Sequence, residues 1–294
     1  DFCLSRGLGD VYKRQEWDSW DWESDFVWNG SVATVIARLK ETPYYMEKIG
    51  TLAVDVNAAA QDLGLKQLFG VSEAFEIPPL VLMRSDGTTL YPTRDIAYSL
   101  WKLARADRVI NVIGTEQTLP QLQLKTTLSL LTSPQRAKDL VHYAYELVSL
   151  PGFKMSKRRG RFIAFDDILN EAEKKARSEV DLRSSNLTEH ARGEISRAVG
   201  SGAVKFTLLD VTANKQVVFT WDRVLNFETN SAPFVQYAHA RAFNILQKAS
   251  GKTDVVEYSL LKEPIEHEIV MTIASFPEVV VTAADNLNPS AITN

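Results

Sequence analysis

Residues 152–161 read Gly-Phe-Lys-Met-Ser-Lys-Arg-Arg-Gly-Arg, which sets five cations (Lys154, Lys157, Arg158, Arg159 and Arg161) within eight residues of a slightly acidic chain. Gly152 and Gly160 bracket the cluster, so the spacing predicts a mobile loop and not a helix or strand. Ammonium groups on such a loop suit a polyphosphate, whose charge grows and shifts during reaction. Cations that meet that charge only in the transition state accelerate the chemistry. A bare basic run has a plainer use, as a surface patch or a localisation signal. The flanking chain decides between the two.

Composition narrows the classes. The 294 residues leave room for two domains, and 45% apolar with 24% charged residues is ordinary for a soluble globular protein. The net charge of -4 means that bulk charge does not drive binding to nucleic acid, so any polyanion must meet a local patch. Cys3 is the only cysteine, which leaves no disulfide framework and fits a reducing compartment. His142, His190, His239 and His267 lie far apart without metal-ligand spacing, so no metal site is expected. Neither a GxxxxGK(S/T) phosphate loop nor a GxGxxG fingerprint occurs. No apolar run is expected to span a bilayer, and no membrane partner is expected.

The elements that must position the loop follow in chain order. Residues 1–15 show neither an amphipathic period nor a targeting pattern and are expected to be a non-native leader. Trp17, Trp20 and Trp22 alternate with acids that would repel phosphates, which points to a packed aromatic face. Residues 32–40 read as a helix burying Val32, Val35, Ile36 and Leu39. Residues 80–83 form an apolar strand, Asp86-Gly87 a tight turn, and residues 89–91 a returning strand. Pro92-Thr93 then opens a helix, with Thr93 as N-cap, Asp95 in its first turn, and Ile96, Ala97, Leu100, Leu103 and Ala104 facing inward. Residues 108–113 are a short apolar strand with one polar interruption, as in a parallel sheet covered on both faces. Gly114 ends it, residues 119–131 form a helix, and residues 140–150 contain the next strand, after which the basic loop begins.

This β-α-β-α-β order predicts an α/β fold with a parallel, Rossmann-like sheet. Ligands of such sheets sit beyond the carboxyl ends of the strands. The segments 91–95, 114–117 and 154–160 all fall at that rim. Downstream, residues 162–165 read as a short strand and residues 168–179 as a helix with a solvated charged face. Residues 191–209 read as helical with a break at 200–202. Asn230-Ser231-Ala232-Pro233 starts a helix with Phe234, Tyr237, Ala238, Arg241, Ile245 and Ala249 along one stripe. Residues 252–263 read as a linker and residues 266–284 as a last helix, so the second part is an all-α helical bundle.

Several stretches together resemble arginyl-tRNA synthetases of class I: Trp-Asp-Trp-Glu-Ser at 20–24, DGTTLYPTRDIAY at 86–98, VINVIGTEQ at 109–117, LVSLPGFKMSKRRG at 147–160 and NSAPFVQYAHAR at 230–241. Lys154-Met155-Ser156-Lys157 is similar to the KMSKS signature loop, except that Arg158 stands in place of serine. The resemblance implies an arginine–tRNA ligase that activates L-arginine with ATP and Mg2+ and transfers it to tRNA(Arg) in the cytoplasm. Lys154 and Lys157 would be catalytic. The family's arginine pocket maps onto Tyr91, Asp95 and Gln117, where a carboxylate can take two parallel hydrogen bonds from a guanidinium. Taken singly, the three read as a strand-end aromatic, a first-turn acid answering the helix dipole and a surface amide. ATP contacts would come from Gly114, Glu116, His142 and the loop residues Lys154, Met155, Ser156 and Lys157. Core packing is an equal reading for His142. Arg159, Arg161, Tyr237 and Arg241 are candidates for tRNA, as is His239, although a buried bundle face suits Tyr237 better.

The family's His-x-Gly-His motif does not occur in the 294 residues. The stretch is therefore expected to lack an N-terminal part, to be inactive alone and to be a monomer. The expected organisation is a leader at 1–15, the second half of the catalytic domain at 16–165, a helical connection at 166–222 and the start of an anticodon-binding domain at 223–294. Other readings are a non-catalytic tRNA- or nucleotide-binding paralogue, and a class I synthetase for another amino acid.

Overall fold

The structure, a computed structural model, describes residues 17–151, 163–184, 186–226, 228, 230–249 and 257–294. The expected leader at 1–15 and the expected start of a strand at Phe162 lie outside them. The chain folds as two compact units, Trp17–Tyr145 and, from there on, Glu146–Asn294.

The first unit opens with helices α1 (Glu23–Trp28) and α2 (Ser31–Lys40). As expected, α2 buries Val32, Val35 and Leu39, with Ile36 packed against the same core. A three-stranded antiparallel sheet follows, of β1 (Tyr45–Lys48), β2 (Thr51–Val54) and β3 (Leu80–Met83), in that order. Between β2 and β3 lie α3 (Val56–Asp62), capped by Asp55 accepting from Ala58 N at 2.9 Å, and α4 (Leu65–Leu68). After β3 come α5 (Tyr91–Leu103), β4 (Val109–Gly114), a 3-10 turn (Thr115–Gln117), α6 (Thr118–Leu131), α7 (Pro134–Lys138) and β5 (Leu140–Tyr145). β4 and β5 pair parallel, Val109 against Leu140 through Gly114 against Tyr145. A β-strand, a crossover helix and a parallel β-strand is the unit that the sequence pattern predicts. The first strand of that pattern, β3, pairs antiparallel with β2 instead.

The entry to α5 also differs from expectation. Thr89 makes only an isolated bridge to Met83, and Tyr91 is already helical, with Leu90 at the N-cap. Thr93 does not cap. Its hydroxyl is fully buried and donates to Leu82 O at 2.6 Å, which ties the first turn of α5 to the end of β3. Pro92 fits the first turn because no intrahelical acceptor waits for its missing N–H. Ala104 is the exposed C-cap and not part of the buried face. Leu82, Ile96, Leu128 and Leu140 bring β3, α5, α6 and β5 into one core. The tryptophans depart most from expectation. The rings of Trp17 and Trp20 lie 5.4 Å apart, yet Trp17, Trp20 and Trp22 each remain more than half exposed.

In the second unit, β6 (Val148–Ser149) pairs parallel with residues Val217–Val218. α8 (Phe165–Arg183) begins where a strand is expected, and α9 (Glu189–Leu209) runs unbroken through residues 200–202. Thr188 caps α9 by accepting from Ala191 N at 3.2 Å. The glycines do not break this helix; Gly200 serves contact with its neighbour. A Cβ there would meet Glu173 N at 2.7 Å and Ala172 C at 2.8 Å on α8. Gly200→Val is therefore expected to force the two helices apart and to cost about 1–3 kcal/mol, read as a lower urea midpoint.

Beyond α9 come β7 (Val217–Val218), the partner of β6, then α10 (Trp221–Val224) and α11 (Ala232–Lys248). Ser231 caps α11 by accepting from Phe234 N, as the Asn-Ser-Ala-Pro stretch predicts. A 3-10 turn (Tyr258–Leu260), α12 (Pro264–Asp285) and α13 (Ser290–Thr293) complete the unit. Leu169, Ala203, Val204, Phe219 and Val224 form its core. Along α11 the expected stripe is largely exposed, and Tyr237 is 59% exposed where a buried face was expected. The expectation about bilayer-spanning runs is also corrected. α12 is long and apolar enough by length and composition to cross a membrane, with a mean hydropathy of 1.2. Its acids are Glu266, Glu268, Glu278 and Asp285, so that residues 267–284 contain only two of them.

Candidate active site

The site is built on α5 and on the polar residue inside β4. Tyr91 and Asp95 lie one helical turn apart at the start of α5. Tyr91 is 70% exposed, and the guanidinium of Arg94 stacks over its ring at 4.7 Å. Arg94 Nε also donates to Glu23 Oε1 at 2.7 Å, which joins α1 to α5. Asp95 keeps an open path to solvent, and it lines a cavity of about 160 Å3 with Tyr98, Lys102, Asn111 and Gln121. No hydrogen bond or ion pair closes off its carboxylate among the described residues.

Around that cavity the polar groups are connected. Lys102 Nζ donates to Asn111 Oδ1 at 2.6 Å, and Asn111 Nδ2 donates to Gln121 Oε1 at 2.8 Å. Lys102 also sits 4.5 Å from the centre of the Tyr98 ring, and Tyr98 Oη donates to Asp21 Oδ2 at 2.9 Å. Burial and this acceptor push the Tyr98 phenol up to about 12. Burial raises the Asp95 carboxyl above the usual carboxylate range, as does Glu23, while Lys102 and Arg94 oppose the rise. Burial lowers the Lys102 ammonium, and Asp95 and Asp21 pull it back up. The arrangement is an acid with free acceptors on a small polar cavity, suited to a cationic ligand with several donors.

The other expected residues fall elsewhere. Gln117 closes the 3-10 turn after β4, is exposed, and is not in the wall of this cavity. Glu116 folds its carboxylate over Gly114, filling the space that a Cβ would need. The Gly114 backbone, at φ -59°, is open to any residue, so only this movable carboxylate occupies the space beside it. His142, the register partner of Asn111, is half-buried, and its Nε2 lies 3.0 Å from Ile113 O. It lines a second cavity of about 360 Å3 with Phe69, Lys125 and Val141. Gln121 lines both cavities. Lys154, Met155, Ser156, Lys157, Arg159 and Arg161 lie outside the described residues. Arg241 lies 5.7 Å from the Tyr237 ring on exposed α11.

The sequence reading missed Lys102, Asn111 and Gln121. Their signal was present. Lys102 stands seven residues after Asp95, on the same helical face, and Asn111 is the polar interruption in an otherwise apolar strand.

Comparisons with known proteins agree with this architecture. The family model for tRNA synthetases class I (R), catalytic domain, matches residues 12–221, and that for the DALR anticodon binding domain matches residues 235–294. The arginine–tRNA ligase of Ignicoccus hospitalis is 46% identical over 277 residues, covering 94% of this chain and 44% of its own length. That of Methanocella arvoryzae is 42% identical, covering 94% of this chain and 46% of its own. The chain thus spans about half the length of the curated relatives it matches. The solved arginyl-tRNA synthetase of Thermus thermophilus superposes with a TM-score of 0.85 at 28% identity, over 99% of this chain and 52% of that one. The Plasmodium falciparum structure, at 17% identity and a TM-score of 0.78 over 99% of this chain and 47% of that one, shares the fold. With more than half of its residues matched by the catalytic-domain family, the chain belongs to the arginine-type class I tRNA synthetases.

Proposed function

We propose that the protein is an arginine–tRNA ligase. In this reading the arginine carboxylate attacks the α-phosphate of ATP and displaces pyrophosphate. The terminal ribose hydroxyl of tRNA(Arg) then attacks the adenylate carbonyl and releases AMP. The single observation that carries the reading, beside family membership, is the Asp95 carboxylate, which opens with free acceptors onto a polar cavity. Tyr91, one turn away, would pack against the substrate's methylenes or its guanidinium face, as it already does against Arg94. Gln117, outside the wall of the cavity, would have to reach the substrate from the turn after β4.

ATP would lie beyond the carboxyl ends of β4 and β5, where Gly114 permits close approach, Glu116 meets the ribose or the amino group, and His142 flanks the base. Mg2+ would enter bound to the ATP phosphates. Lys154 and Lys157 would neutralise the departing pyrophosphate, with Met155 and Ser156 against the nucleotide. Arg159, Arg161, Tyr237 and Arg241 would meet the tRNA. In domain terms, residues 16–165 would carry the chemistry, 166–222 connect, and 223–294 face the anticodon, in a monomer of the cytoplasm.

The test is amino-acid-dependent exchange of pyrophosphate into ATP, with and without tRNA(Arg), on the protein expressed from its complete reading frame. Arginine is expected to drive exchange and lysine is not, because lysine lacks the planar fork and would leave acceptors unpaired. Exchange driven by another amino acid, or by none, would contradict the proposal.

A further inference from the structure

The least explained group near Asp95 is a second charge within the same wall. Lys102 is two turns further along α5, and its ammonium is half-buried beneath the cavity. A cation on the floor of a pocket for a cationic substrate repels that substrate unless it serves the acid. Its placement shows how it does so. Its ammonium donates to Asn111 Oδ1 at 2.6 Å, Asn111 Nδ2 in turn donates to Gln121 Oε1, and the Tyr98 ring covers the ammonium at 4.5 Å. No ion pair joins it to Asp95 among the described residues, so the carboxylate is not consumed by it.

We propose that Lys102 is a positioning residue for substrate recognition: pinned by Asn111 and capped by Tyr98, its ammonium keeps Asp95 ionised and leaves both carboxylate oxygens free for the ligand's guanidinium. The proposal rests on the reading of Asp95 as the arginine acid. The charged groups facing Asp95 are Glu23 from α1 and Arg94 and Lys102 from α5; those facing Lys102 are Asp95 and Asp21. Arg94 is engaged with Glu23 and opposes the rise at Asp95 less than Lys102 does. Lys102 is the stronger of the two cations that oppose the cost of burying the acid.

Two readouts separate this proposal from the reading beneath it. Carboxyl-carbon NMR follows Asp95 protonation without any substrate, and calorimetry follows arginine affinity against pH. In Lys102→Met, the Asp95 titration is expected to move up by about one pH unit. The pH at which arginine affinity falls by half should rise with it. Lys102→Gln, which keeps a donor for Asn111 and loses the charge, should do the same, and it replaces the methionine variant if that one does not fold. Lys102→Arg should restore the wild-type profile. An Asp95 titration unchanged in Lys102→Gln would overturn the proposal. A moved titration with arginine binding that ignores Asp95→Asn would instead sink the arginine pocket, and the recognition role of Lys102 with it.

Discussion

Asp95→Asn is expected to weaken arginine binding by about 2–4 kcal/mol, a loss of roughly 30- to 700-fold, without lowering the thermal midpoint. The two halves of this expectation have one cause. Among the described residues the carboxylate is the only anion that lines the small cavity, and asparagine offers one acceptor where a guanidinium needs two. Burial and Glu23 raise the Asp95 pKa on folding. A group whose pKa rises on folding contributes stability below its unfolded value, and that contribution is lost as pH climbs through the folded value. Neutral asparagine escapes that loss, so the fold at pH 7 should be unharmed. The same sign predicts that wild-type affinity for arginine declines as pH falls through the raised Asp95 pKa, and that Asp95→Asn shows no such decline. Calorimetry across pH, with a melting curve at each point, checks both. A variant that loses binding only because it melts would contradict the account.

The second large effect is expected in the basic loop. Lys157→Ala should lower the rate of arginine-dependent exchange by about 100-fold or more, with arginine affinity nearly unchanged. In the proposed role the cation would meet charge that appears on pyrophosphate as the bond breaks, and so would act on the transition state and not on the bound amino acid. Lys154→Ala should follow the same pattern. Rapid-quench measurement of adenylate formation separates the two quantities. A loss confined to arginine affinity would contradict this role.

How much could be read without coordinates differs from element to element. α2, α6 and the Ser231 start of α11 were plain, because 3.6-residue periodicity and capping chemistry are local signals. β4 and β5, joined by a crossover helix, were equally plain, since short apolar strands separated by helical patterns leave few topologies. The pairing of β3 was not, because the partner strand, β2, lies about thirty residues upstream in a stretch without a clear period. Thr93 looked like an N-cap by type, yet its hydroxyl served a tertiary contact to Leu82, which sequence spacing cannot reveal. Gly200 read as a break because glycine weakens helices, whereas close approach to α8 is what demands it.

The candidate site divides in the same way. Asp95 was found through a motif, and the structure adds the cavity onto which its carboxylate opens. The network of Lys102, Asn111 and Gln121 was missed because each residue sits on a different element, and one polar residue in an apolar strand reads as noise. Tyr237 was assigned to a buried face from helical periodicity, but amphipathic spacing shows which residues share a face and not whether anything covers it.

The central claim is that the Asp95 carboxylate receives the guanidinium of arginine. A crystal structure of the protein with arginine bound tests it most directly. The account predicts two parallel hydrogen bonds from the guanidinium to the Asp95 oxygens, with Lys102 still on Asn111 behind them. Arginine seated elsewhere, with the cavity beside Asp95 left to water, would contradict it.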